Sequence, residues 1–335
     1  MMNSFISLSD FDRTEIKELL KSASTLERAT PLDALRGKVL GLVFFNSSIR
    51  TLASFQSAMS KLGGSSFVVT PGQGSWNLEW RSDVVMDGDA AEHVNEAIPV
   101  LSSYADALGV RLFGGLQNIT DTFGDRAFDA IRSTCQKPLI NLESAVDHPC
   151  QALADWKTLD DYQIPEDGKF VLSWANHPRD LPLAVPAAAA TMAAQRGMNV
   201  VVLRPDTHAL PSSLVSRIQG IAASNGGSVV ETDDRRSALD GASVLYGKSW
   251  GPTGQMLTAE KGERKETTYP GDWTIDSDWF MTADRRCKFM HCLPVRREVV
   301  VTSSVLDSQR SIVQRQAANR LYGQMAVLHA MLSKA

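Results

Sequence analysis

What most constrains this chain is an alternation, run through twice, of short apolar stretches with helix-length amphipathic segments. In the first series, residues 39–45, 66–69, 107–113 and 138–142 read as strands, with 54–62, 93–104 and 121–134 as helices between them. A long helical stretch over 149–162 leads to the second series. There the strands fall at 170–174, 200–203, 243–246 and 289–292, with helices near 186–196 and 212–224. Strands separated by helices pair in parallel, and a parallel sheet must be covered on both faces. The expected fold is therefore α/β, with two doubly wound parallel-sheet domains. A chain of 335 residues is long enough for two such cores of about 150 residues each. We place the first domain at 1–150 and the second at 151–316, with the boundary in the long helix after Gln151, because Pro165 and Gly168 turn the chain into the second sheet. An apolar-periodic helix over 317–335 is expected to rejoin the first domain.

Composition removes several classes of function. A net charge of −4 gives no general attraction to nucleic acid or to an anionic membrane surface, so any anionic ligand must be held by local charges. Cys135, Cys150, Cys287 and Cys292 have neither zinc-ligand spacing nor the density of a disulfide scaffold, which fits a reducing cytoplasm. Residues 1–20 carry Asp10, Asp12, Glu15 and Glu18 without an apolar core, unlike a signal peptide, and no 18-residue apolar run suggests a membrane span. No Gly-x-Gly-x-x-Gly follows a strand, so a nicotinamide dehydrogenase is disfavoured, and we expect no cofactor and no metal.

Three segments carry chemistry. Directly after the first strand comes Asn46-Ser47-Ser48-Ile49-Arg50-Thr51, leading into a helix. A helix N-terminus offers free N–H groups and a positive dipole end, and Ser48, Arg50 and Thr51 add hydroxyls and a fixed cation, which together suit a phosphate. Serine and threonine at such a turn also serve simply as N-caps. The second segment, Glu143 to Gln151, ends a strand and opens a helix at Pro149. It sets His148 and Gln151 at the C-terminal edge of the first sheet, where α/β folds bind ligands. Histidine can donate to an oxygen and the glutamine amide can accept from an NH2, although a His-Pro pair is also an ordinary capped turn. The third segment, His291-Cys292-Leu293-Pro294-Val295-Arg296-Arg297, follows the last strand, and its adjacent His and Cys cannot share a zinc ion.

These segments, in this order and at these separations, resemble the aspartate/ornithine carbamoyltransferase family over nearly the whole chain. The resemblance implies that Ser48, Ile49, Arg50 and Thr51 hold the phosphate of carbamoyl phosphate. It gives Arg111, His148 and Gln151 to the carbamoyl group, with Arg320 near the same ligand. Leu293 supplies a backbone carbonyl to the carbamoyl NH2. The family's phosphate box ends in an arginine, which is Leu52 here. The resemblance further implies a homotrimer in which Trp76 reaches the site of a neighbouring subunit, and a proline-rich loop over 177–186 threaded as a knot, a rare topology.

The second substrate is read from a substitution. Ornithine enzymes of the family carry an aspartate and a Ser-Met-Gly element after a second-domain strand, where this chain has Tyr246-Gly247-Lys248-Ser249-Trp250. A lysine repels a free α-ammonium but pairs with a carboxylate once the α-amine has become a neutral amide. Lys248-Ser249-Trp250 and Gln73-Gly74-Ser75-Trp76 resemble the N-acylornithine branch. Where acetyl-specific enzymes have a glutamate, this chain has Ala91. A carboxylate there would crowd and repel the carboxylate of a succinyl group, so its absence favours N-succinylornithine. Glu92 next door is a possible replacement by a shift of register. The remaining candidates for the acylornithine are Glu143, Pro182, Lys248, Cys292, Leu293 and Arg296. The same reaction on N-acetylornithine and a non-catalytic ligand sensor are the rival readings.

Overall fold

The computed structural model describes residues 2–113, 125–252 and 273–333. The chain divides into two compact units, Met1–Ala154 with Asn319–Ala335 and Asp155–Ala318. The parallel sheets expected from the alternation are both present. Residues 121–124 of the helix expected over 121–134 lie outside the described residues.

In the first unit the chain forms β1 (Ser4–Phe5), α1 (Arg13–Arg28), β2 (Val39–Phe44), α2 (Ile49–Lys61), β3 (Ser65–Val69), β4 (Asn77–Glu79) and β5 (Ala90–His93). It continues through α3 (Val94–Ser103), β6 (Ala107–Arg111), α4 (Arg126–Thr134) and β7 (Leu139–Glu143). The main sheet has the order β1-β7-β6-β2-β3, all parallel, and β4 with β5 form a small parallel pair. The inner strands β2, β6 and β7 are buried almost throughout, as strands covered on both faces must be, whereas β3 at the edge is half-exposed. Gly41 permits this density: a Cβ there would meet Leu108 at 2.5 Å and Phe67 at 2.7 Å. Gly63, with φ of +81°, turns the chain from α2 to β3 against the carbonyl of Leu32, where a side chain has no room.

α5 (Pro149–Asp161) and α10 (Val313–Leu332) both contain a point at which the two units divide. The second unit runs through β8 (Lys169–Trp174), α6 (Ala184–Arg196), β9 (Asn199–Leu203), α7 (Ser212–Ser224), β10 (Ser228–Thr232) and α8 (Arg235–Leu239). It closes with β11 (Val244–Lys248), β12 (Lys288–Met290) and α9 (Ser303–Leu306). Its sheet has the order β10-β9-β8-β11-β12, again parallel. α6 is buried along its whole length. Its run of alanines offers small contact on every side, and its last residue, Arg196, donates to Asp160 and to the carbonyls of Ile164 and Pro165. That clamp fixes the chain that enters β8.

The differences from the sequence reading have local causes. α2 begins at Ile49, five residues before the expected 54, because Ser48 caps it. α6 takes in Ala184 and Val185, since Pro186 is tolerated in a first helical turn. β10 was missed because its alternation is short and polar at both ends, and β1, β4 and β5 because they span two to four residues. Ala91, outside every element expected from the sequence, is on β5, directly before α3.

Both sheets reverse winding direction at an inner pair of strands. In the first, β2 leads outward to β3 and β6 outward to β7, so the switch lies between β2 and β6, whose last residues Phe44 and Arg111 are in register. In the second it lies between β8 and β11, where Trp174 faces Lys248. A doubly wound sheet leaves a crevice at these points, because successive helices depart to opposite faces.

Candidate functional site

In the first unit the switch point gathers most of the expected residues. Ser48 is the N-cap of α2: its Oγ accepts from Thr51 N at 3.3 Å and donates to Thr51 Oγ1 at 3.0 Å. The capping role and the ligand-binding potential therefore coexist in one residue. Ile49, 85% exposed, leaves the first turn of the helix open. Thr51 is fully buried, and its Oγ1 also accepts from Arg320 Nη2 at 2.8 Å. Arg320 lies in α10, which brings a cation from late in the sequence to the N-terminus of α2. Burial pulls the Arg320 guanidinium below its ordinary range. It also pushes the Cys150 thiol up to about 12, so that group is a neutral neighbour and not a counter-ion.

Arg111 ends β6, and its Nε donates to the carbonyl of Asn46 at 3.1 Å, tying it to the loop after β2. Its guanidinium also lies over the Phe113 ring at 5.0 Å. Nη1 donates to the carboxylate of Glu143, which ends β7 and also stands 3.4 Å from His148 Nε2. One carboxylate is thus shared by two of the groups that the family resemblance gives to the carbamoyl group. His148 and Gln151, at 3% and 1% exposure, stand at the start of α5.

Sequence reasoning missed the residues that shape this turn. Asp125 accepts from Ser144 Oγ at 2.6 Å and from Ala145 N at 2.7 Å, and Asn141 Nδ2 donates to Ser144 Oγ and to the carbonyl of Ile6. Burial raises the Asp125 carboxyl above its usual range, opposed by those two hydrogen bonds. The only sequence signal was the density of Asn, Ser and Asp after a strand.

Trp76 precedes β4 and is 60% exposed, and its Nε1 donates to Glu92 Oε2 at 2.9 Å. Ala91 is exposed on β5 beside Glu92. The neighbouring carboxylate is therefore engaged by the tryptophan.

The second unit presents its own candidates at the C-terminal ends of its strands. Lys248 ends β11, and Ser249 and Trp250 behind it are buried, held by Ser249 Oγ to the carbonyl of Ala175 and by Trp250 Nε1 to that of His208. Gly251 N donates to the carbonyl of Leu181, which joins this turn to the proline-rich loop that carries Pro182. Arg296 Nε donates to His177 Nε2 at 3.3 Å, so the same loop meets the His291–Arg297 segment. That segment is fixed from behind: Gln316 Oε1 accepts from His291 N, while its Nε2 donates to Asp155 and Tyr246. His291 Nδ1 in turn accepts from Leu293 N at 2.9 Å, and Leu293 has a positive φ of 54°. Cys292 is buried. Neither Asp155 nor Gln316 stood out in the sequence, since each is one polar residue within a long helical segment.

A first-unit site of two arginines, a histidine, a buried hydroxyl and an open helix N-terminus can hold a compact anion and stabilise a developing oxyanion. A family model described as aspartate/ornithine carbamoyltransferase, carbamoyl-P binding domain, matches residues 3–161, and its partner, the Asp/Orn binding domain, matches 185–331. The chain belongs to the aspartate/ornithine carbamoyltransferase family. Among relatives of this carbamoyltransferase is an N-acetylornithine carbamoyltransferase of Xanthomonas axonopodis pv. citri, 36% identical over 99% of this chain and 97% of that one. An N-succinylornithine carbamoyltransferase of Bacteroides fragilis is 35% identical over 89% of this chain and 88% of that one. In structure it resembles an acetylornithine transcarbamylase complexed with acetylcitrulline, with a TM-score of 0.90, 33% identity and 99% of each chain covered. Variants of an N-acetyl-L-ornithine transcarbamylase with one glutamate changed to proline, alanine, valine or serine have been solved with carbamyl phosphate and N-succinyl-L-norvaline.

Proposed function

We propose that this carbamoyltransferase moves the carbamoyl group of carbamoyl phosphate to the δ-amine of N2-succinyl-L-ornithine, giving N-succinyl-L-citrulline and phosphate in arginine biosynthesis. The phosphate rests on Ser48, the backbone of Ile49, Arg50 and Thr51, with Arg320 behind Thr51 and Trp76 contributed by a neighbouring subunit of a homotrimer. The carbonyl oxygen faces Thr51, Arg111 and His148, whose donors match the charge that grows there as the amine attacks. Gln151 and the carbonyl of Leu293 take the carbamoyl NH2, which orients the face open to attack. The δ-amine reacts in its neutral form, and the departing phosphate carries the negative charge that Arg50 and the helix N-terminus offset. Lys248 and Arg296 receive the carboxylates of the acylated amino acid, with Glu143, Pro182 and Cys292 beside it.

The observation that carries the choice of a succinyl group is Ala91. No carboxylate projects from that position of β5, and the adjacent Glu92 is held by Trp76 at 2.9 Å. The glutamate variants that accompany a succinyl compound in a relative support the same reasoning. The rival substrate is N2-acetyl-L-ornithine, favoured by the 36% identity to an enzyme named for it. Lys248 serves either substrate, so only the acyl pocket separates them.

The test is citrulline-type product formation from carbamoyl phosphate with N-succinyl-, N-acetyl- and free L-ornithine in parallel, compared as kcat/KM. The expected order is succinyl above acetyl, with free ornithine inert. Preference for acetyl would overturn the Ala91 argument, and no turnover with any of them would favour a ligand sensor.

A further inference from the structure

A second basic centre lies at the other edge of the second sheet. Lys248 and the His291–Arg296 segment stand where β11 and β12 end, whereas a cavity of about 930 Å³ opens where β8, β11 and β12 begin. It is lined by the chain before β8 at Tyr162 to Pro165, by Ser243 before β11, by Asp284 to Lys288 before β12, and by the turn that ends in Arg310.

The lining is rich in cations and poor in carboxylates. Arg285, Arg286, Lys288 and Arg310 contribute four cations against the single carboxylate of Asp284. This concentration of positive charge occurs in a chain whose net charge is −4. Arg286 is the cation nearest that carboxylate, with Nε 3.9 Å from Asp284 Oδ1, and it is largely exposed. Among the described residues, Arg285, Lys288 and Arg310 have no carboxylate within ion-pair distance.

Two of these cations are held in place. Lys288 Nζ donates to the carbonyl of Gln309 at 3.0 Å and sits 5.5 Å from the centre of the Tyr162 ring. Arg310 Nη1 donates to the carbonyls of Arg285 and Cys287, and its guanidinium lies over Phe280 at 5.1 Å. Neutral acceptors and ring faces position both groups without cancelling their charge, and both are half-buried. Half-buried cations fixed beside an open cavity favour an anion that brings several charges at once. The hydroxyls of Ser243, Ser277 and Ser304 on the same wall are of the kind that pairs with phosphate oxygens.

We propose that this cavity binds a polyphosphorylated small molecule, at a site separate from the residues assigned to carbamoyl phosphate and the acylornithine. A cavity of this size suits a small ligand and not a polymer. The exposed Met281 and the Tyr162 ring offer apolar surface to a base, while the cations take the phosphates.

The test is calorimetric titration of the full chain at low ionic strength with inorganic triphosphate and with adenosine triphosphate, alone and with saturating carbamoyl phosphate. The variants are the double substitution Arg285→Glu/Arg286→Glu, both at exposed positions, and separately Lys288→Gln. The expected result is saturable binding that carbamoyl phosphate does not displace. The double variant should weaken it at least tenfold with an unchanged thermal midpoint, and Lys288→Gln severalfold. Tighter binding of adenosine triphosphate identifies a nucleotide site and equal binding a site for free polyphosphate, and either supports the proposal. Absence of saturable binding, displacement by carbamoyl phosphate, or affinity unchanged in both variants would overturn it.

Discussion

Arg320 Nη2 donates to Thr51 Oγ1 at 2.8 Å, across 269 residues of sequence and inside the first unit. The bond fixes the hydroxyl of a helix N-terminal residue with a cation that has little access to water. Removing the guanidinium deletes a charge-assisted hydrogen bond worth about 2 kcal/mol, or roughly 30-fold in an equilibrium or rate. We expect Arg320→Ala to lower kcat/KM for carbamoyl phosphate by about that factor. Arg320→Lys, which keeps the charge but loses the planar fork, should fall between the two. Steady-state kinetics with carbamoyl phosphate as the varied substrate checks both. Equal kinetics in wild type and Arg320→Ala would reduce the contact to a packing role.

The acyl pocket gives a second prediction. Ala91→Glu adds a carboxylate to an exposed position of β5, next to Glu92. The added carboxylate would repel the terminal carboxylate of a succinyl group but not an acetyl group. The ratio of kcat/KM for N-succinyl- over N-acetyl-L-ornithine should fall at least tenfold. An unchanged ratio would mean that the acyl group is read elsewhere.

The fold was legible because its inner strands are largely apolar and are separated by helix-length segments. β10 and the pair β4 and β5 were not, since an edge strand exposes alternate positions and carries polar residues that also suit a loop. The candidate site was legible where unusual residues are concentrated in one segment, as in Ser48 to Thr51, His148 to Gln151 and His291 to Arg296. It was illegible where support comes from afar. Nothing in the spacing announces that Asp125 holds the turn before His148, or that Gln316 holds His291. The pairing of Glu143 with Arg111 was equally hidden, because each residue had been assigned to a different ligand.

His208 provides a pH prediction for stability. Its ring is fully buried, 4.7 Å from Trp174, and burial with the nearby Arg204 cation lowers its pKa to about 4. In the unfolded chain a histidine titrates near 6.5. Between those values the unfolded state binds the proton and the folded state does not, so stability rises with pH across this window. The contribution is complete above about 6.5 and lost as pH falls toward 4, which amounts to about 2 kcal/mol between pH 7 and pH 5. Urea unfolding of wild type and His208→Gln at both pH values measures it. The variant should be less stable at pH 7 but lose less stability on acidification, and parallel losses would assign the pH dependence to other groups.

Glu143 places a carboxylate beside two of the residues proposed to hold carbamoyl phosphate. Its carboxylate accepts from Arg111 Nη1 and stands 3.4 Å from His148 Nε2, so both groups face it. Under the proposed assignment, carbamoyl phosphate draws Arg111 and His148 toward its own oxygen and tolerates a nearby like charge. Glu143→Gln keeps the shape and one acceptor oxygen but removes the charge. Carbamoyl phosphate should therefore bind the variant more tightly, by roughly fivefold for a relief of about 1 kcal/mol. If the released carboxylate then serves the acylornithine, the KM for that substrate should rise in the same variant. Titration with carbamoyl phosphate and initial rates at varied acylornithine separate the two effects. Weaker carbamoyl phosphate binding in Glu143→Gln would instead mean that the carboxylate orients Arg111 and His148 for the ligand.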